Sequence, residues 1–264
     1  MSVREGVRAY LSEQEVLRAS LYVAGLLGLA LLAMWPRGGL ETALRTGAAS
    51  DTFTVVAICF LLALLYLGAR WGAEDYIANP TVQLHEYVTM TPVSLLSLVS
   101  GRLLVGLLHT LVMLLLGAPF LVAAMAVGGA GVPEAFRALA VIGAASLAAR
   151  MCGLLTRTLI GTRRPLREIL LFLFLAAVFG STFFVAPAVS PFSALASLLN
   201  PAEESSVSIR CALAYLAVAV LLAACALAVL TGTRVRARAR AGRAARGERA
   251  ASDRHRGAKG DRHE

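Results

Sequence analysis

The chain has 264 residues, of which 58% are hydrophobic, and a formal net charge of +9 at pH 7. So large an apolar fraction excludes an ordinary soluble globular domain and predicts a membrane protein. The four cysteines all lie in apolar runs without CxxC spacing, which favours small buried side chains over disulfides or a metal site; they are Cys59, Cys152, Cys211 and Cys225.

Six apolar runs are long enough, or nearly so, to cross the roughly 30 Å hydrocarbon core of a bilayer as helices. They cover residues 19–36, 53–69, 103–127, 138–155, 169–189 and 211–232, and the first, second and fourth are the shortest. The sequence therefore predicts an all-α, multi-pass membrane protein whose transmembrane domain of six helices extends from 19 to 233.

The segment 1–18 precedes the first apolar run. Val3, Val7 and Tyr10 fall on one helical face, which predicts a short helix lying in the membrane interface rather than an ordinary charged terminus. Ser12 and Glu15 have the spacing of a capping box, so a new helix is expected to begin there and to continue into the first span.

The connection between the second and third spans covers 79–102. Asn79 and Pro80 form a helix start, with Asn as N-cap and Pro at the first helical position, and Thr91 and Pro92 repeat the arrangement. We expect a helix over 80–90, a sharp corner, and a second helix that passes through Gly101 into the third span.

The remaining polar segments have distinct expected roles. Trp71 and Tyr76 are predicted at headgroup depth or just inside the cytoplasm, and the arginines of 156–168 are predicted to contact anionic headgroups. Ser190 and Pro191 begin a short apolar helix that cannot span and should lie on, or dip into, the outer surface. The tail 234–264 is rich in Arg, Ala and Gly and is predicted to be disordered, contacting membrane lipid. It has no aromatic residue for stacking on nucleic acid, so no nucleic-acid partner is expected.

Arginine is distributed unevenly between alternate loops, which predicts the topology. With both termini cytoplasmic, that side carries the tail together with Arg4, Arg8, Arg18, Arg70, Arg102, Arg157, Arg163, Arg164 and Arg167, and the other side carries Arg37, Arg45, Arg137 and Arg210. The positive-inside rule then places both termini in the cytoplasm, with or without the tail.

Two polar residues fall inside apolar runs, Arg150 and His109, both at inner-leaflet depth. One interpretation is that Arg150 snorkels to the interface and His109 is a satisfied core residue. The other is that both line an inward-facing vestibule for an anionic or polar headgroup. Ser146 with His109 could suggest an intramembrane protease dyad, but the GxSG-type context is absent and small residues in spans usually serve packing.

No catalytic or nucleotide-binding signature occurs in the chain: there is no phosphate loop, HExxH or CxxC motif. We therefore expect that the chain is not an enzyme, that it binds no cofactor or metal, and that any ATP used is bound by another polypeptide.

The order of elements, with a TP-V-S core followed by a GR pair between the second and third spans, resembles the ABC-2 type transporter permeases. The matching residues are Thr91, Pro92, Val93, Ser94, Gly101 and Arg102, and the resemblance covers nearly the whole chain to about residue 233. The chain departs from the family pattern just before this core, where it reads NPTVQLHEYVTM, and the substrate is therefore left open.

This resemblance implies that 80–102 contains a coupling helix that docks onto a separate ATP-binding subunit, in which ATP and Mg²⁺ would be bound. It also implies an exporter in the bacterial cytoplasmic membrane, working as a homodimer or as a heterodimer with another permease subunit. From the residues themselves, Leu84, Tyr87 and Val88 form an apolar patch. The predicted coupling residues are these three with His85, Glu86, Thr91, Pro92, Ser94, Gly101 and Arg102.

Two alternatives are left open. The segment 80–102 could be an amphipathic loop on the inner leaflet, and the protein could be a non-transport membrane anchor or assembly factor that recruits a soluble cytoplasmic partner.

Overall fold

The computed structural model describes residues 14–35, 50–73, 94–160, 164–184, 189–199 and 206–260. This part of the chain is all-helical and contains no strand, so the predicted all-α class is confirmed for it. The helices are α1 (Gln14–Ala33), α2 (Ser50–Ala73), α3 (Leu95–Gly128), α4 (Val132–Ile160), α5 (Arg164–Phe184), α6 (Pro191–Ala196), which continues as a 3-10 turn (Ser197–Leu199), and α7 (Ser206–Gly260).

Five of these helices, α2, α3, α4, α5 and α7, are long and apolar enough to cross a membrane. The chain is therefore a multi-pass membrane protein. The apolar part of α1, Leu17–Ala33, is shorter than the other five, so the sixth crossing stays a prediction. Residues 1–13 of the predicted interfacial helix and the whole predicted helix over 80–90 lie outside the described residues.

Local side-chain and glycine chemistry explains several helix ends. The Ser94 hydroxyl accepts a hydrogen bond from the Ser97 N–H at 3.2 Å and so caps the start of α3. Gly129 ends α3 in the left-handed region at φ 68°, which other residues rarely adopt. At the start of α2, the Thr52 hydroxyl donates to the Met34 carbonyl at 3.3 Å and ties the end of α1 to α2.

Two helices differ from their predicted extents. α5 begins at Arg164 and ends at Phe184, whereas the apolar run predicted a span over 169–189. α7 continues to Gly260, whereas the composition of the tail predicted disorder from 234 onward. Alanine and arginine have high intrinsic helix propensity, so a helix that is already nucleated by a membrane span can extend through them.

α4 is the central helix of the bundle. It packs against α2 and α7 over most of its length and also contacts α3, α5 and α6. Residues 144–154 of α4 are all buried, and most are Ala, Ser, Gly or Cys. Small side chains allow neighbouring helices to approach closely in a membrane, where helix association depends on packing rather than on the exclusion of water.

The short helix α6 packs inside the bundle rather than on its surface. Phe192 and Leu195 are buried, and the helix contacts α2, α4, α5 and α7. The Ser190 hydroxyl accepts from the Ser193 N–H and lies 3.0 Å from the Thr182 hydroxyl of α5. Phe192 also makes an edge-to-face contact with Phe179, so of the two predicted placements, on the outer surface or dipping into it, the packing favours the second.

Candidate polar site between the membrane helices

Cross-helix contacts place four helix ends and the middle of α7 at one end of the bundle, which we call the arginine-rich end. The C-terminal ends of α2 and α4 meet the N-terminal parts of α3 and α5 there, and Val99 of α3 packs with Leu230 of α7. Arginines whose side chains are described toward this end include Arg18, Arg70, Arg102, Arg150, Arg157, Arg167, Arg234 and Arg236, whereas Arg137 and Arg210 lie toward the other.

Arg150 and His109 form a buried polar contact between α4 and α3. Nη1 of Arg150 lies 3.1 Å from Nδ1 of His109, and the two residues are only 5% and 1% exposed. Because a guanidinium can only donate, Nδ1 of His109 is the acceptor in this contact. Arg150 therefore points into the bundle instead of snorkelling, and His109 is its partner.

Trp71 of α2 completes this cluster. Its ring lies over the His109 ring, with the centroids 3.6 Å apart and the planes tilted by 33°. The indole is buried between helices, so the Trp71 side chain packs inside the bundle, and its predicted depth in the membrane stays a prediction. The stacked indole shields the imidazole on one face. We call Trp71, His109 and Arg150 the polar cluster.

Glycines make the space that the Arg150 side chain occupies. Gly106 lies one turn before His109 on α3, and a Cβ there would come within 2.8 Å of Cδ and 3.0 Å of Nε of Arg150. Gly72 of α2 packs directly against the Arg150 carbonyl, where a Cβ would overlap. Any larger side chain at either position would displace the arginine or separate the helices.

A seam of small residues holds α2 against α4 beside the cluster. A Cβ on Gly68 would lie 2.7 Å from the Ser146 carbonyl oxygen, and one on Gly153 would overlap the Ala69 carbonyl. The Ser146 hydroxyl donates to the Leu64 carbonyl at 3.3 Å, so it serves this packing and is not oriented as a nucleophile toward His109. The Gly68-x-x-x-Gly72 spacing is the sequence signal for this seam, and a hydropathy profile does not contain it.

Arg167 is a further buried cation that sequence reasoning assigned to a different role. It is 7% exposed, and its Nη1 donates to the Ala73 carbonyl at 3.4 Å, at the C-terminus of α2. A cation at this position stabilises the negative end of the helix dipole. The expectation that Arg167 contacts headgroups as part of a loop is corrected, because α5 already begins at Arg164 and turns this side chain toward α2.

The predicted coupling residues are only partly within the described structure. Leu84, His85, Glu86, Tyr87, Val88, Thr91 and Pro92 lie outside it; Ser94 caps α3. Gly101 and Arg102 follow on the second turn of α3, both half-buried, at the arginine-rich end.

His109 and Arg150, the predicted vestibule residues, contact each other and are buried between helices. A groove of about 540 Å³ between α1 and α2 lies next to the polar cluster, and Trp71 forms part of its wall. Neither His109 nor Arg150 lines this groove. A substrate vestibule lined by both residues therefore stays a prediction.

The described residues show no group suited to a metal ion, because nowhere in those ranges do three or more His, Cys, Asp or Glu side chains cluster. Of the cysteines, Cys152 and Cys211 are buried and Cys59 is half-buried, as expected, whereas Cys225 is exposed on the apolar surface of α7. The polar cluster joins α2, α3 and α4 through the contacts of Trp71, His109 and Arg150.

Comparison with protein-family models, with curated proteins and with solved structures found no match. The class that the described helices and the polar cluster define is a multi-pass, helical membrane protein with a buried arginine–histidine contact between two of its helices.

Proposed function

We propose that this chain is the membrane-spanning subunit of an ATP-driven ABC-2 type transporter, coupled through 80–102 to a separate ATP-binding subunit. The observation that carries the proposal is the continuity of α3. Its 34 residues extend about 50 Å at 1.5 Å per residue, well beyond a hydrocarbon core of roughly 30 Å.

This length makes α3 suitable as a lever. It begins directly after the predicted corner at Thr91 and Pro92, with Ser94 as its cap. His109, ten residues after Val99, contacts Arg150 of the central helix, so a displacement at the start of α3 would be carried into α4. Two packed helices joined by a buried polar contact move together more readily than helices that share only apolar contacts.

Direction and topology are part of the proposal. The arginine-rich end would face the cytoplasm by the positive-inside rule, in the bacterial cytoplasmic membrane, with both termini on that side. Export by a homodimer or by a heterodimer with a second permease subunit follows from the family resemblance. A cysteine introduced beside Arg102 or beside Arg137 would test the orientation, because a membrane-impermeant thiol reagent applied to intact cells should label only the second.

Co-purification tests the coupling assignment. The tagged chain is expressed with the ATP-binding subunit encoded nearest to it, and Leu84→Asp and Tyr87→Asp are each expected to abolish recovery of that subunit. Thr89→Asp is the matched control, because residue 89 would lie on the opposite face of the same predicted helix. Recovery that is equal in all three variants would contradict a coupling helix at this position.

ATP hydrolysis by the purified complex tests the lever. Arg150→Lys keeps a cation but loses the planar guanidinium, so it should leave the complex assembled and reduce hydrolysis coupled to transport. If a soluble partner other than an ATPase is recovered, and ATP has no effect on the complex, the non-transport anchor or assembly factor is the correct function instead.

A further inference from the structure

The groove between α1 and α2 is formed by the N-terminal half of α1 and the C-terminal half of α2. Arg18 and Arg70 stand at its rim, and both side chains are exposed. Tyr22 and Tyr66 also line it and are 76% and 53% exposed, so the groove opens to the surface of the bundle.

The rim residues are arranged in two layers. Tyr22 follows Arg18 by four residues on α1, and Tyr66 precedes Arg70 by four residues on α2. The end of α1 is tied to the start of α2, so the two helices run in opposite directions. Each therefore presents an arginine at the end of the bundle and a tyrosine about one turn, or roughly 6 Å, deeper.

The floor of the groove is apolar. Val23 and Leu26 of α1 face Ala63 and Leu67 of α2, and Trp71 closes the wall toward the polar cluster. The groove changes with depth in the same order as a lipid in one leaflet of a bilayer. Its cationic rim corresponds to the phosphate, its tyrosine layer to the glycerol ester and its apolar floor to the acyl chain.

We propose that this groove binds one anionic phospholipid, with Arg18 and Arg70 holding the headgroup phosphate and the floor holding an acyl chain. Guanidinium groups bind phosphate oxygens through paired, charge-assisted hydrogen bonds. The cavity of about 540 Å³ is within the range of small-molecule sites, roughly 300–1,000 Å³. This site does not depend on the proposed transport function.

Charge complementarity favours a lipid over a second copy of the chain. The arginine-rich end of another copy would bring like charges toward Arg18 and Arg70, which disfavours association. Arg18 and Arg70 attract an anionic headgroup instead. An acyl chain of the same lipid then covers the apolar floor of the groove.

Trp71 allows the site to be observed directly. The chain has two tryptophans, so a Trp35→Phe variant reports from the groove wall alone. Its fluorescence is measured in nanodiscs whose phospholipid carries brominated acyl chains, which quench nearby tryptophan. Dibrominated phosphatidylglycerol and dibrominated phosphatidylcholine are compared at equal mole fraction in an unbrominated phosphatidylcholine background.

We expect stronger quenching by phosphatidylglycerol. Arg18→Gln or Arg70→Gln in the same background should each lower the relative affinity for the anionic lipid by about fivefold, the contribution of one basic side chain near an anionic surface. Arg157→Gln is the matched control, because it removes one charge from the same end of the bundle but does not line the groove, and it should keep the preference.

Four results would overturn the proposal. Equal quenching by the two lipids would show that the groove does not select an anionic headgroup, and a preference that survives both Arg18→Gln and Arg70→Gln would place the selection elsewhere. Absence of quenching by either lipid would indicate that another copy or another segment covers the groove. Added glycerol phosphate should not compete, since a soluble phosphate lacks the acyl chain; competition at equal concentration would assign the site to a free anion.

Discussion

Nη1 of Arg150 lies 3.1 Å from Nδ1 of His109, and this contact joins the central helix α4 to α3 where both side chains are buried. Removing one member leaves the other in an apolar environment without this partner. Replacing both side chains with apolar ones leaves no polar group deprived of this partner. The losses of unfolding free energy caused by the two single substitutions should therefore not be additive.

We expect Arg150→Met to lower the free energy of unfolding by about 1–3 kcal/mol, the cost of depriving a buried polar group of its partner. The double variant Arg150→Met, His109→Leu should lose less than the sum of the two single variants. Unfolding by SDS in mixed micelles measures all three. Strictly additive losses would show that the contact contributes no coupling.

The close approach of Gly72 to the Arg150 carbonyl predicts a second effect on stability. Gly72→Ala should destabilise the protein by about 1–3 kcal/mol, because overpacking at this point must separate α2 from α4. Gly25→Ala is the control, since a Cβ on Gly25 of α1 would meet no atom within 4 Å. Equal melting temperatures of the two variants in detergent would contradict the close packing.

Arg167 should stabilise the fold through α2 rather than through lipid. Arg167→Gln removes the charged donor to the Ala73 carbonyl and should cost about 1–3 kcal/mol. The loss should be the same in phosphatidylcholine and phosphatidylglycerol membranes, and the exposed neighbour substitution Glu168→Gln should have little effect. A loss confined to anionic membranes would instead indicate a headgroup contact.

Ser190 should stabilise the helical structure of α6. Ser190→Ala removes the cap and the contact with Thr182, at a cost of about 1–2 kcal/mol. Hydrogen–deuterium exchange should then increase in the peptide covering 189–199. Ser193→Ala removes a hydroxyl from the same helix but leaves the cap, so its exchange should stay close to the wild-type rate.

The extension of α7 to Gly260 gives a test of the predicted disordered tail. If the helix persists in solution, truncation after Arg236 should reduce the magnitude of the negative molar ellipticity at 222 nm by the contribution of the helical turns that are removed. The melting temperature of the bundle should stay unchanged, because Leu230 is the last buried side chain described on α7. Unchanged ellipticity would favour the disorder that composition predicts.

Hydropathy and local capping determined much of the fold. An apolar run long enough to cross a bilayer forms a helix wherever it packs, because its own backbone groups are hydrogen-bonded within the segment. The start at Ser190 and Pro191 likewise depends on a neighbour three residues away, whereas α3 is capped by Ser94 and not by the predicted Thr91, which lies outside the described residues. The apolar spans and the start at Ser190 were predictable because each depends on a short stretch of sequence.

The polar cluster and the groove depended on tertiary structure. Hydropathy placed Arg150 and His109 at similar depths, but their contact spans 41 positions of sequence and requires α3 and α4 to face each other. Trp71 and Arg167 appeared interfacial by sequence, yet helix packing turned both inward. Depth in a membrane is a local property of the sequence, whereas the face that a side chain presents, and the partner that it meets, is fixed only when the helices pack.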